Sequence, residues 1–157
     1  MAGATILEFH YRKTTRIPKF NYSGSHYYFI TVCTHEKEPL FGKPNGLNVF
    51  GLIAKECMEQ ISEHYANAEV LKFVIMPNHV HAIIHIKAEN AENVIQIVGQ
   101  YKMVVTKRIR QISPAQKVWQ RSFHDHVIRN TNGYLKIWEY IENNPLKWEE
   151  DCFYRAE

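Results

Sequence analysis

The sequence predicts an α+β fold: an antiparallel sheet covered on one face by two helices, with a third helix added at the C-terminal end. Three observations predict it. Runs rich in β-branched and aromatic residues alternate with segments whose apolar residues recur every three or four positions, in the order strand, helix, strand, strand, helix, strand. The two central strands are separated only by Pro77-Asn78, a link too short for anything but an antiparallel hairpin. With 157 residues, 45% apolar and 22% charged, the chain has the size and composition of one domain with its own core. That element order is the split β-α-β, ferredoxin-like sandwich.

Residues 1–24 are polar and carry Arg12, Lys13, Arg16 and Lys19 among scattered aromatics, and read as an extended basic arm. Residues 26–34 form the first strand, and 36–44, with two prolines and a glycine, form a loop. Residues 48–65 fit a helix through Phe50, Ile53, Cys57, Ile61 and Tyr65. Strands follow at 70–76 and 80–86. Residues 91–111 form the second helix, burying Val94, Val98, Tyr101, Val105, Ile109 and Ile112 on one stripe. Residues 118–128 supply the fourth strand, interrupted near Arg121, which completes a core over 26–128. A last helix starts at Thr131-Asn132, either of which can cap it, and Pro145 stops it. Residues 145–157 are a tail to this single domain.

Composition excludes several classes. No apolar run approaches the ~18 residues of a membrane span, and no signal peptide is visible. Three scattered cysteines argue against a disulfide framework and for a cytoplasmic setting. The net charge of +3 is mild but segregated. Residues 93–124 contain no Asp or Glu, yet hold Lys102, Lys107, Arg108, Arg110, Lys117 and Arg121, whereas acids gather at Glu149, Glu150 and Asp151. Each cluster alone reads as a solvated helix face. Together with the basic arm they point to a polyanion such as nucleic acid.

His79 and His81 stand two apart in a strand and so share a face, their side chains rooted about 6–7 Å apart. They are either half-buried sheet residues or a pair of imidazoles able to reach one divalent cation. The Pro-Asn turn before them and the unbroken apolar run after them favour the second reading. His85, two steps on, is a rim residue. In the last helix Lys136, Tyr140 and Asn144 are spaced by four, on a face opposite Tyr134, Ile137, Trp138 and Ile141. The Asn144 amide oxygen could complete a metal site and the Tyr140 hydroxyl could be a nucleophile. A phenol ordinarily titrates near pH ~10 and needs an activator at neutral pH; Lys136 is either a stabiliser of the phenolate or a solvated surface lysine, and Arg129 is a further supporting residue, structural or DNA-contacting. His124, Asp125 and His126 alternate across a strand and read as structural hydrogen-bonding groups, and Trp119 as a core residue.

Three blocks, 76–81 (Met-Pro-Asn-His-Val-His), 123–130 (Phe-His-Asp-His-Val-Ile-Arg-Asn) and 140–145 (Tyr-Ile-Glu-Asn-Asn-Pro), resemble in sequence and order the signatures of the single-tyrosine HUH transposases, most closely the REP-associated tyrosine transposases. Residues 12–18 and 28–34 resemble the family opening, so the likeness spans residues 10–148. The resemblance implies metal-dependent nicking and strand transfer of single-stranded DNA at hairpins or palindromes, through a 5′-phosphotyrosine, with Mg²⁺ or Mn²⁺. It implies His79, His81 and Asn144 as metal ligands and Tyr140 as nucleophile. Asparagine replaces the glutamine of the insertion-sequence branch, which points to the REP-associated one. It also implies a homodimer. Arg12, Lys13, Arg16, Lys102, Lys107, Arg108 and Arg110 would bind DNA. The alternatives are a domesticated hairpin-binding module without transposition, a relaxase or rolling-circle initiator, and a small-molecule metalloenzyme.

Overall fold

The computed structural model describes residues 26–87, 92–151, 153 and 154. The arm with Arg12, Lys13, Arg16 and Lys19, the start of the second predicted helix at Ala91, and Cys152 lie outside the described residues. Strand β1 (His26–Cys33) is followed by a 3-10 turn (His35–Lys37) and a small hairpin, β2 (Gly42–Lys43) and β3 (Gly46–Leu47). Then come α1 (Val49–Glu59), the single turn α2 (Ile61–His64), β4 (Ala68–Met76), β5 (His79–Ile86), α3 (Val94–Ile112), β6 (His124–Ile128), α4 (Thr131–Asn143) and a 3-10 helix (Pro145–Glu150). The main sheet has the order β4-β5-β1-β6, every neighbouring pair antiparallel. This is the strand order of the split β-α-β sandwich.

The two faces of β1 and β5 are both buried, and the period of two sorts their side chains. Tyr28, Ile30 and Val32 of β1 and Val80, Ala82, Ile84 and Ile86 of β5 pack with Ile53, Ala54, Cys57 and Met58 of α1 and Ile97, Val98, Tyr101 and Val105 of α3. The odd residues face the other way. There Phe29 and Ile83, joined by Ile128 of β6 (His124–Ile128), pack against Ile137 and Ile141 of α4, with Tyr134, Trp138 and Tyr140 on the margin. So α4 lies across the sheet from α1 and α3, on the face that carries His79 and His81. A free helix of α4's length is marginal in water. Burying Ile137 and Ile141, worth about 1.5–3 kcal/mol each, is what seats it there.

Local signals explain most boundaries. Asn48 caps α1 through Gly51 N–H at 2.9 Å. A Cβ on Gly51 would come within 2.4 Å of the Phe41 carbonyl oxygen, so only glycine admits the loop this close. Asn93 and Gln96 form a reciprocal capping box at the start of α3. The cap of α4 is Asn130, one residue before the expected pair, accepting from Gly133 N–H at 2.8 Å.

Three further expectations are corrected. The predicted helix over 48–65 breaks at Gln60 into α1 and α2, where the Ser62 hydroxyl receives Val70 N–H at 2.9 Å. The predicted loop 36–44 contains β2 and contributes to the small hairpin. The fourth strand begins at His124, not at 118. Ahead of it the chain holds the sheet only by an isolated bridge between Thr34 and Trp119. The Trp119 ring is drawn inward beside Phe41 and Tyr101, at 5.4 and 5.9 Å between centroids, and its indole N–H donates to the Lys102 carbonyl at 3.1 Å. Among the described residues no helix is long and apolar enough to cross a membrane.

Candidate metal and tyrosine site

The site starts at the Pro77-Asn78 turn. Proline fixes a negative φ, which excludes the primed turns usual in two-residue hairpins, and the chain compensates with hydrogen bonds from outside the hairpin. Thr34 N–H donates to the Asn78 carbonyl (2.9 Å) and Phe41 N–H to the Pro77 carbonyl (3.0 Å). The fully buried Asn78 amide donates to the Phe153 carbonyl (2.6 Å) and the Lys37 carbonyl (3.1 Å). Asn78→Ala is therefore expected to lower unfolding free energy by about 2–4 kcal/mol, since it strands buried carbonyls and a ring N–H, as urea melts would measure.

Those two bonds also fix a tautomer. With its nitrogen committed to two carbonyls, the Asn78 amide turns its oxygen to His79 Nδ1, 2.8 Å away. That oxygen can only accept, so Nδ1 carries the proton and Nε2 is a bare lone pair. Burial, opposed by the Asn144 amide and reinforced by the Lys37 ammonium, pushes the His79 pKa down to about 3. The ring is neutral at physiological pH. His81 Nδ1 lies 2.9 Å from the Thr31 hydroxyl, its cross-strand neighbour in β1. The two ring centroids are 4.5 Å apart, converging from their roots.

From α4, the Tyr140 ring packs 5.3 Å from His81 and 6.3 Å from Phe29. Asn144, the C-cap, is buried beside it. Spacing by four accumulates about 40° per step on a helix, so Lys136 has rotated away from Asn144. Lys136 is exposed, whereas Tyr140 is half-buried and Asn144 buried. Tyr140 and Asn144 thus lie on the sheet side with Ile137 and Ile141, not opposite that stripe.

In the sequence Asp151 closes the acidic cluster with Glu149 and Glu150. In the structure it is buried, at the end of the 3-10 helix. Its Oδ2 accepts from Asn144 Nδ2 at 2.7 Å and from the Tyr140 hydroxyl at 3.4 Å, and lies 4.0 Å from His79 Nε2. Its Oδ1 accepts from Phe153 N–H at 2.8 Å. One signal was available: Asp151 is bracketed by Trp148, Phe153 and Tyr154, an aromatic density that suits a packed segment more than a solvated tail. His79, His81 and Asp151 present ligand atoms within 4.8 Å of one another, a potential metal-binding site.

The donor set fits a cation. Among the described residues, His79 Nε2 and Asn144 Oδ1 are buried without a hydrogen-bond partner, which is costly for polar atoms removed from water. Both are electron-pair donors, and a carboxylate adjoins them. Cys33 faces His79 across the strand pair, but burial chiefly, against the opposing Lys37 charge, pushes its thiol up to about 12. In the metal-free chain it is therefore a neutral thiol. Phe153 and Trp148 cover His79, at 4.4 and 6.0 Å between ring centroids.

The predicted basic residues separate by environment. Lys102 donates to the Gln120 carbonyl (2.8 Å) and Ser122 carbonyl (3.3 Å). Arg108 pairs with Glu56 at 3.2 Å and reaches Cys57, tying α3 to α1. Lys107 and Arg110 are exposed and line a hollow of about 410 Å³ with Trp119, across the sheet from the histidines. Arg129 is exposed beside α4, lining a hollow of about 520 Å³ with Tyr27 and Tyr134. His85 stacks on Tyr27 at 4.0 Å.

Comparison with known proteins places these features in a family. The family model described as "Transposase IS200 like" matches residues 22–144. An uncharacterised protein of Haemophilus influenzae is 36% identical over 92% of this chain and 94% of its own. A protein of the same organism, provisionally named a REP-associated tyrosine transposase, is 25% identical over 76% of this chain and 70% of its own. Among solved structures, a REP-associated tyrosine transposase bound to a REP hairpin superposes with a TM-score of 0.61 at 20% identity, covering 85% of this chain and 74% of that one. A provisionally named transposase of Deinococcus radiodurans gives 0.54 at 15% identity, covering 83% and 97%.

Proposed function

Since the chain belongs to the IS200-like transposase family, we propose that it nicks single-stranded DNA at a hairpin or palindrome and transfers the cut strand, with Tyr140 as nucleophile. The observation that carries this reading is the convergence of the bare His79 Nε2 of the sheet with Asn144 Oδ1 and the Tyr140 phenol of α4. The hairpin in the structurally similar transposase supports that choice of substrate.

His79, His81 and Asn144 would hold a divalent cation, Mg²⁺ or Mn²⁺. The chemistry such an ion would supply there is Lewis-acid neutralisation of charge on a non-bridging phosphate oxygen and alignment of the phosphorus for in-line attack. The chain does the rest. Tyr140 Oη bonds to phosphorus as the P–O3′ bond breaks. The 3′ oxygen leaves with the bonding pair and takes a proton from water, and the phenolic proton passes to solvent. In rejoining, a 3′-hydroxyl displaces Tyr140 from its 5′-phosphate. Both histidines are fully buried, so a phosphodiester enters only when a covering side chain such as Phe153 swings aside.

Lys107, Arg110, Arg129 and the arm residues Arg12, Lys13 and Arg16 would contact the DNA backbone, while Lys102 and Arg108 brace the scaffold that presents them. A homodimer and a cytoplasmic setting belong to the same reading, and the Tyr140 ring packs against His81 of its own chain. Full burial of both rings favours a second reading, a hairpin-binding module that does not cut.

A pool of 5′- and 3′-labelled single-stranded hairpin oligonucleotides separates the two. With Mn²⁺, the 3′-labelled fragment is expected to migrate with the protein under denaturing conditions, the 5′-labelled fragment to be released, and EDTA to abolish both. Tight binding without any adduct would leave the binding module.

A further inference from the structure

We infer that Asp151 is a positioning residue, holding the Asn144 amide so that its oxygen faces the cation and the Tyr140 hydroxyl is kept beside it. The inference rests on the nicking reading above and assigns a role to the segment beyond the tyrosine helix. The 3-10 helix Pro145–Glu150 turns the chain back on α4, and Asp151 caps it through its own N–H to the Trp148 carbonyl at 3.0 Å. That turn brings the carboxylate from seven positions downstream into contact with Asn144.

An asparagine can present either its oxygen or its NH₂ to a cation, and only the oxygen binds one. Asp151 decides the matter because a carboxylate accepts at both oxygens. Oδ1 is fixed by Phe153 N–H, so the group does not rotate freely. Oδ2 then meets Asn144 and draws its Nδ2 to 2.7 Å, which leaves Asn144 Oδ1 pointing away, buried and without a partner among the described residues. The same Oδ2 receives the Tyr140 hydroxyl at 3.4 Å, so one atom registers the amide ligand and the nucleophile against each other. Three of the roughly four lone-pair sites of Asp151 already face N–H and O–H donors, an arrangement in which it acts through Asn144. Its negative charge 4.0 Å from His79 Nε2 still favours a cation in the same space.

An amide at 151 cannot satisfy this pattern. Its NH₂ meets either the Phe153 N–H or the Asn144 NH₂, and in the second case Asn144 relaxes by flipping its own NH₂ toward the cation. Groups that orient a metal ligand typically change affinity 10- to 100-fold when replaced.

A double-mutant cycle on Mn²⁺ binding, followed by the electron paramagnetic resonance signal of the free ion and without DNA, tests the inference. Asp151→Asn is expected to weaken Mn²⁺ binding about 10- to 100-fold. Asn144→Ala is expected to do the same. In the Asn144→Ala background, Asp151→Asn is expected to lose clearly less than it does in the wild-type background, the remainder reporting the carboxylate's charge beside the ion, since coupled residues are not additive. Asp151→Ser closes a second cycle that does not depend on Asp151→Asn folding.

Undiminished Mn²⁺ affinity in Asp151→Asn overturns the inference, and so does a full additional loss in the double variant, which would make Asp151 a direct ligand. A wild-type chain that binds no Mn²⁺ removes the nicking reading and this inference together. A wild-type chain that binds Mn²⁺ and forms adducts, with an additive cycle, removes the role of Asp151 alone.

Discussion

Tyr140→Phe is expected to form no covalent adduct with any hairpin oligonucleotide at any Mn²⁺ concentration, while binding the same DNA within about threefold of the wild-type chain. The substitution keeps the ring that packs 5.3 Å from His81 and 6.3 Å from Phe29. It removes one oxygen and its long hydrogen bond to Asp151, a stability change of about 0.5–1.5 kcal/mol at most. No other phenol on α4 replaces it. Tyr134 sits six residues earlier, edge-on to Tyr27 at 6.0 Å, toward the opposite end of the helix. Removing the nucleophile of a covalent reaction lowers the rate by several orders of magnitude, far more than a positioning change does. Denaturing electrophoresis of labelled oligonucleotides measures the outcome. An adduct formed by the phenylalanine variant would take the nucleophilic role away from Tyr140.

Why the fold was readable is clear from β1 and β5. Their apolar runs, the two-residue link and the two periodic helices each point to the same strand order, and agreement between local and global signals is what makes a sequence legible. The same alternation put His79 and His81 on one face. It did not say which helices shared that face, because β1 and β5 are buried on both sides, one side apolar and the other mixing apolar residues with the buried His79, His81 and Thr31. The position of α4 across from α1 and α3 came only with the packing of Ile137 and Ile141 on Phe29, Ile83 and Ile128.

Charge was the poorest guide. A basic stretch is visible as composition, but whether a cation is available to DNA depends on neighbours far along the chain. Arg108 meets Glu56, fifty-two residues earlier, and Lys102 is used to hold the irregular segment before β6. Asp151 shows the converse. Its neighbours Glu149 and Glu150 are exposed on the 3-10 helix, and Asp151 turns inward where that helix ends, so a three-residue acidic run contains two surface residues and one group at the centre of the site.

Mn²⁺ is expected to bind His79→Gln about a hundredfold more weakly than the wild-type chain, a loss of about 2.7 kcal/mol. Glutamine is chosen because it fills much of the buried ring's volume and limits the cavity that alanine would leave. The large effect follows from the orientation of His79. Asn78 holds the proton on Nδ1, so Nε2 offers its lone pair without rearrangement, and burial, pulling the pKa to about 3, keeps a proton from competing with the ion near neutral pH. The same burial has a cost on the acid side. In the unfolded chain this histidine takes up a proton near its ordinary pH of ~6.5, while the folded chain refuses it until about 3. Its contribution to stability is therefore intact above pH 6.5 and is lost as the pH falls from there toward 3. Urea midpoints of the metal-free wild-type chain should drop over that range more steeply than those of His79→Gln. Equal Mn²⁺ affinity in the two proteins would move the ion away from the paired histidines.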